Sequence, residues 1–203
     1  MNRPLIQAVL AASLTLAAAA GNAAGPAAAP QALPPIVSLV NTPPPGGFLG
    51  LNGFDVFQGQ SVAARFTVPA SSDFRLARVG IWFMNNSDTE QYSMRVSLQT
   101  DALDEGGHET LPSGRRLATW TAPVKALGWN PVEQFFRSST APRLRAGANY
   151  WVVAESDAPP FVDPVWTIAK KGVAVSTTTF NGAWQTAGSG AAPTLQVDAV
   201  AVD

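Results

Sequence analysis

The chain has 203 residues, no cysteine and one histidine, and its 13 basic and 14 acidic side chains leave a formal net charge of -1. A balance this even, with only 13% charged residues, gives no electrostatic reason to bind nucleic acid or an anionic membrane face. The missing cysteine excludes disulfides, a lipidated cysteine and a thiolate zinc centre, and one histidine argues against any other multi-ligand zinc site.

Residues 1–23 read as a secretory signal peptide. Arg3 precedes an apolar run from Leu5 to Ala20, and small residues follow from Gly21 to Gly25. The run is alanine-rich and too short for a membrane span, which needs about 20 strongly apolar residues; cleavage is expected after Ala20 or Ala23. Roughly 180 residues then remain, enough for one domain with a proper core. No membrane span is expected in that mature chain.

Residues 24–47 are dominated by alanine and proline, with Pro34-Pro35 and Pro43-Pro44-Pro45 as rigid points. Alanine buries little and proline blocks ladder hydrogen bonds, so the segment reads as an extended linker. Within it, Ile36 to Val40 has the composition of a short edge strand that docks on the domain.

Residues 48–203 have the texture of a sheet protein. Val62, Ala64, Phe66 and Val68 alternate with Ser61, Ala63, Arg65 and Thr67, and Tyr92, Met94, Val96 and Leu98 alternate with Ser93, Arg95, Ser97 and Gln99. Period two places alternate side chains on one buried face, as in antiparallel sheets. Leu76 to Met84 is apolar on both faces and is expected to be central. Further strands are predicted over Leu117–Thr121, Phe135–Ser138, Asn149–Glu155, Val165–Ala169, Gly172–Thr179 and Leu195–Val202. Turn residues punctuate them at Asn85 to Asp88, Glu105-Gly106-Gly107, Pro112-Ser113-Gly114, Ala146-Gly147, Asn181-Gly182 and Gly188-Ser189-Gly190. No stretch has a helical period. The expected fold is all-β: a single antiparallel β-sandwich, jelly-roll-like.

The order of Gln60 to Val68, Phe74 to Val79, Val96 to Asp101, Pro112 to Ala118 and Leu144 to Val153, the last containing Ala146-Gly147-Ala148-Asn149-Tyr150-Trp151, resembles the choice-of-anchor R domain of exported bacterial proteins. The resemblance spans roughly Phe48 to Val202. It implies a secreted β-rich domain with no catalytic residues to carry over. Members often bear C-terminal surface-sorting tails; the Val202-Asp203 end shows no such motif, so free export to the periplasm or the outside is expected.

Candidate chemistry is sparse. His108 sits in a polar loop, and no Gly-x-Ser-x-Gly turn accompanies it, which argues against acyl transfer. Asp101, Asp104, Glu105, Glu109, Glu133, Glu155, Asp157 and Asp163 supply carboxylates without a spacing that selects a hydrolytic pair. The loop of Asp101, Asp104 and Glu105 is a weak calcium candidate, lacking the alternating Asp/Asn pattern of a dedicated loop. No cofactor is called for. Six tryptophans are the feature most compatible with binding, because an aromatic face stacks on a sugar ring. Trp82 and Trp151 read as core and Trp120 as able to face either way. Trp129 and Trp184, in turn-like contexts, are the expected exposed pair. The expected function is therefore a non-catalytic secreted or envelope-associated module that binds polysaccharide or matrix through loop aromatics. A structural or adhesion subunit that pairs with another envelope protein is the alternative, and a secreted hydrolase ranks third.

Overall fold

A computed structural model of the chain describes residues 34–46, 52–90, 92–103, 110–124, 128–170, 176–180, 182–186 and 192–202. The signal-peptide segment, His108, Asp104, Glu105 and Glu109 lie outside them. Among the described residues there are strands and no helix, and therefore no helix long and apolar enough to cross a membrane.

Among the described residues, thirteen strands form two antiparallel sheets. The first has seven strands: β1 (Ile36–Thr42), β13 (Leu195–Val202), β4 (Asp73–Asn85), β10 (Pro164–Thr167) and β2 (Gly53–Asp55) follow one path, and β7 (Val132–Arg137) and β8 (Arg143–Leu144) also pair with β4. The second runs β12 (Ala183–Thr186), β11 (Ser176–Phe180), β3 (Val62–Thr67), β9 (Asn149–Ser156), β5 (Ser93–Leu103) and β6 (Thr110–Pro123). The chain crosses between the sheets at most connections, as in a jelly roll, so each sheet is built from strands distant in sequence.

The alternation seen in the sequence fixes which faces meet. Val62, Ala64 and Phe66 of β3, Met94, Val96 and Leu98 of β5, and Tyr150, Val152 and Ala154 of β9 bury against Val79, Ile81 and Phe83 of β4 and Val197 and Ala199 of β13. β4 is central, as its two-faced apolar pattern predicts. β13 and β10 share one of its edges, and β7 and β8 take the other. On its outer face Gly80 lies under Phe135: a Cβ there would sit 2.7 Å from the ring. Arg78 stacks on the same ring at 4.1 Å while its Nε donates to the buried Asp198 at 2.6 Å.

Several elements differ from the sequence expectation. The edge strand in the Ala/Pro segment extends to Thr42 and pairs with β13, within a compact unit that begins at Pro34. Pro112-Ser113-Gly114 is not a turn. It lies inside the continuous strand β6, where Gly114 takes a φ of 76° and its N–H donates to Gln99 Oε1, so the residues are absorbed as an irregularity in the β5–β6 pairing. Nor does Trp184 sit in a turn: Gly182, at φ 84°, closes a hairpin and Trp184 is the second residue of the strand that follows.

Candidate functional site

The six tryptophans divide by sheet face. Trp166 on β10 is wholly buried between the sheets and donates its indole N–H to Thr194 O at 2.6 Å. Trp120 is half-buried against the same core, 5.9 Å from the Phe136 ring, and donates to Arg137 O. Trp82 is only half-buried, because its position on β4 alternates with the inward Ile81 and Phe83. Trp151 is fully buried but on the outer face of the six-stranded sheet, in a small cluster with Ala63 and Val153 against which Trp184 packs. Its N–H donates to Asp101 Oδ1 at 2.6 Å, and Arg65 lies over its ring. Trp184 is thus a half-buried cover for a second apolar cluster, and Trp129 is 56% exposed. Trp184 stands on β12 of the six-stranded sheet and Trp129 in the loop from β6 to β7, and no contact or cluster among the described residues joins them.

A different aromatic accompanies Trp129. At the end of β4, the Asn85 N–H donates to Gly128 O, and the next N–H, of Asn86, donates to Asp163 O. Successive strand N–H groups point to opposite edges, so the two loops grip β4 from its two sides, two strand spacings or about 10 Å apart. The first loop carries Trp129. The second carries Phe161, 88% exposed and held at a φ of 73°, a conformation costing a non-glycine residue about 1–3 kcal/mol. The Asn85 to Asp88 turn lies between them, stiffened by Ser87 Oγ, which accepts from the Thr89 and Glu90 N–H groups.

Beneath this rim two carboxylates approach each other. Asn86 Nδ2 lies 3.3 Å from Asp55 Oδ1 and 3.4 Å from Asp163 Oδ1. Asp163 has no exposed surface, and its Oδ2 has no hydrogen-bond partner. Burial, with the Asp55 charge adding to it, pushes the Asp163 carboxyl above its ordinary range against the opposing effect of hydrogen bonds from its own N–H, from Asn86 and from Phe161 N–H. Asp55 and Phe161 carry no sequence signal that would single them out; only the β2–β10–β4 pairing brings Asp55, Asn86 and Asp163 together.

The other described candidate carboxylates lie elsewhere. Asp101 accepts from Trp151 and, at 3.4 Å, from Asn149 Nδ2. Glu155 pairs with Arg95 and Arg116 beside a shallow hollow of about 260 Å³ on the outer face of the six-stranded sheet, which Asp157 also lines. Glu133 is half-buried on β7. No three His, Cys, Asp or Glu side chains converge among the described residues.

No protein-family model matches the chain, and no curated protein matches it either.

Proposed function

We propose that this chain is a non-catalytic, exported β-sandwich module, akin to the choice-of-anchor R domain, that holds polysaccharide on the rim formed by Trp129 and Phe161. One observation carries the reading: two large aromatic side chains stand 56% and 88% exposed on loops anchored to the last residue of β4 and to the residue after it. Leaving a Phe side chain in water forgoes about 1.5–3 kcal/mol of burial, and the left-handed backbone of Phe161 adds to that cost. A spacing of about 10 Å between loops suits stacking on sugar rings along an extended chain, with the rim's amides and carboxylates as hydrogen-bonding partners. Against hydrolysis stands the burial of Asp163, which removes one member of the Asp55/Asp163 carboxylate pair from any scissile bond.

The test is retention on insoluble glycans. Trp129→Ala and Phe161→Ala are each expected to keep a β-sheet circular-dichroism spectrum and to lose retention at least fivefold. Absence of retention of the unaltered protein on every glycan tried would end this reading. The second reading, an adhesion or structural subunit, is favoured by β1, an edge strand whose Ile36 and Val37 are 63% and 38% exposed; exposed edges recruit strands of other chains. Concentration-dependent assembly in size-exclusion chromatography, abolished by Val37→Lys, would support it over the glycan module.

A further inference from the structure

We propose that Asp55, Asn86 and Asp163 bind a calcium ion beneath the aromatic rim. Asp163 is wholly buried with Oδ2 unpartnered; besides the backbone N–H groups of Asp163 itself and Phe161, its carboxyl has a 3.4 Å contact from Asn86 Nδ2 to Oδ1. The same amide nitrogen is the 3.3 Å neighbour of Asp55 Oδ1. Both contacts exceed the usual hydrogen-bond length. The ion pairs among the described residues join Arg78 to Asp198, Arg95 and Arg116 to Glu155, and Arg143 to Asp73, and none reaches this pair. A buried carboxylate beside a second carboxylate, with no ion-pair partner among the described residues, is an arrangement that folded proteins avoid unless an ion or proton completes it.

The donor set selects the ion. All groups are oxygens once the Asn86 amide turns over about its last torsion, a rotation that exchanges Oδ1 for Nδ2 without moving the chain. Two carboxylates and one amide oxygen supply up to five of the six to eight ligands calcium takes, and water supplies the rest. Zinc prefers nitrogen and sulfur, and magnesium requires a stricter octahedron. Two formal charges on the protein place the affinity in the weak range of about 10⁻⁴ to 10⁻³ M. The ion would also tie Asp163, and so the Phe161 loop, to the end of β4. This inference stands whether or not the rim binds glycan.

Isothermal titration of the EDTA-stripped full chain with calcium chloride, with melting curves in EDTA and in 10 mM calcium or magnesium, tests it. Calcium is expected to bind and to raise the melting temperature by about 3–7 °C, with magnesium doing much less. Asp55→Asn and Asp163→Asn are each expected to weaken binding at least tenfold. Asp55 is exposed, so Asp55→Asn carries the test if Asp163→Asn fails to fold. In EDTA, Asp55→Asn should melt no lower than the unaltered chain, because it removes a repulsion, and in calcium it should melt lower. A purely structural role for Asp55 would not reverse that order. The proposal is overturned if the unaltered chain shows neither calcium heat nor a calcium-dependent melting shift, or if both persist undiminished in the two variants.

Discussion

The indole N–H of Trp151 donates to Asp101 Oδ1 at 2.6 Å, and the ring itself is fully buried on the outside of the six-stranded sheet. Removing the acceptor leaves a buried donor unpaired, which costs about 1–3 kcal/mol. Asp101→Ala is therefore expected to lower the urea midpoint by that equivalent, whereas Asp101→Asn, which keeps an acceptor oxygen, should lose clearly less. Equal losses in the two variants would mean that the charge, and not the hydrogen bond, stabilises this cluster.

Phe135 lies on Gly80 so closely that a methyl group would approach its ring to 2.7 Å. Gly80→Ala should destabilise the fold by about 1–3 kcal/mol, the range for forcing extra volume into a packed site. Because the obstacle is a side chain that is 39% exposed, Phe135→Ala in the same chain should restore part of the loss. A double-mutant cycle in chemical denaturation reads this coupling directly.

Asp73 accepts from the Ala146 N–H at 2.7 Å and from Arg143 Nε at 2.6 Å, and these bonds, in that order, hold its carboxyl below the ordinary value of 3.8. A folded pKa below the unfolded one stabilises the fold above the unfolded value, and that contribution disappears as pH falls through the folded value. Melting temperature should therefore fall more steeply with acidification below about pH 4 in the unaltered chain than in Asp73→Asn, since about 3.9 is the reference for an unperturbed aspartate. Parallel pH profiles would remove Asp73 as the source.

Phe161 pays for its exposed, left-handed position, and glycine would not. Phe161→Gly is expected to leave stability unchanged within about 1 kcal/mol, the strain relief offsetting the entropy that glycine adds to the unfolded chain, while glycan retention falls. Phe161→Tyr should keep retention. A stability loss beyond 2–3 kcal/mol in Phe161→Gly would show that the ring serves packing.

Strict alternation made β3 and β5 legible from the sequence, down to which of their residues face the core, because one-sided burial imposes a period of two. The two-sided apolar pattern of β4 likewise announced a central strand. β12 escaped notice because four residues are too few for alternation to register, although the Asn181-Gly182 pair before it is a hairpin signal. Trp151 follows the same logic: Tyr150 to Ala154 is apolar without interruption, which tells that both faces are covered but not that Trp151 takes the outer one. Asn86 and Asp163 are 77 residues apart and meet only through strand pairing, so no local pattern could have joined them. The sequence singled out Trp129 and Trp184 together; Trp184 stands on the β11–β12 hairpin as a half-buried cover over Trp151 and Trp129 in the loop from β6 to β7, and local composition does not reveal which segments strand pairing brings side by side.

β13 is paired on both sides, by β1 on one and by β4 on the other. The earliest described strand thus has no neighbour until the latest one has been made, and contacts of such long sequence separation slow the approach to the native state. While it waits, β1 offers its unmatched peptide groups to any other unfinished copy nearby. Exchange of this strand between two molecules is the misassembly to which the topology is most exposed.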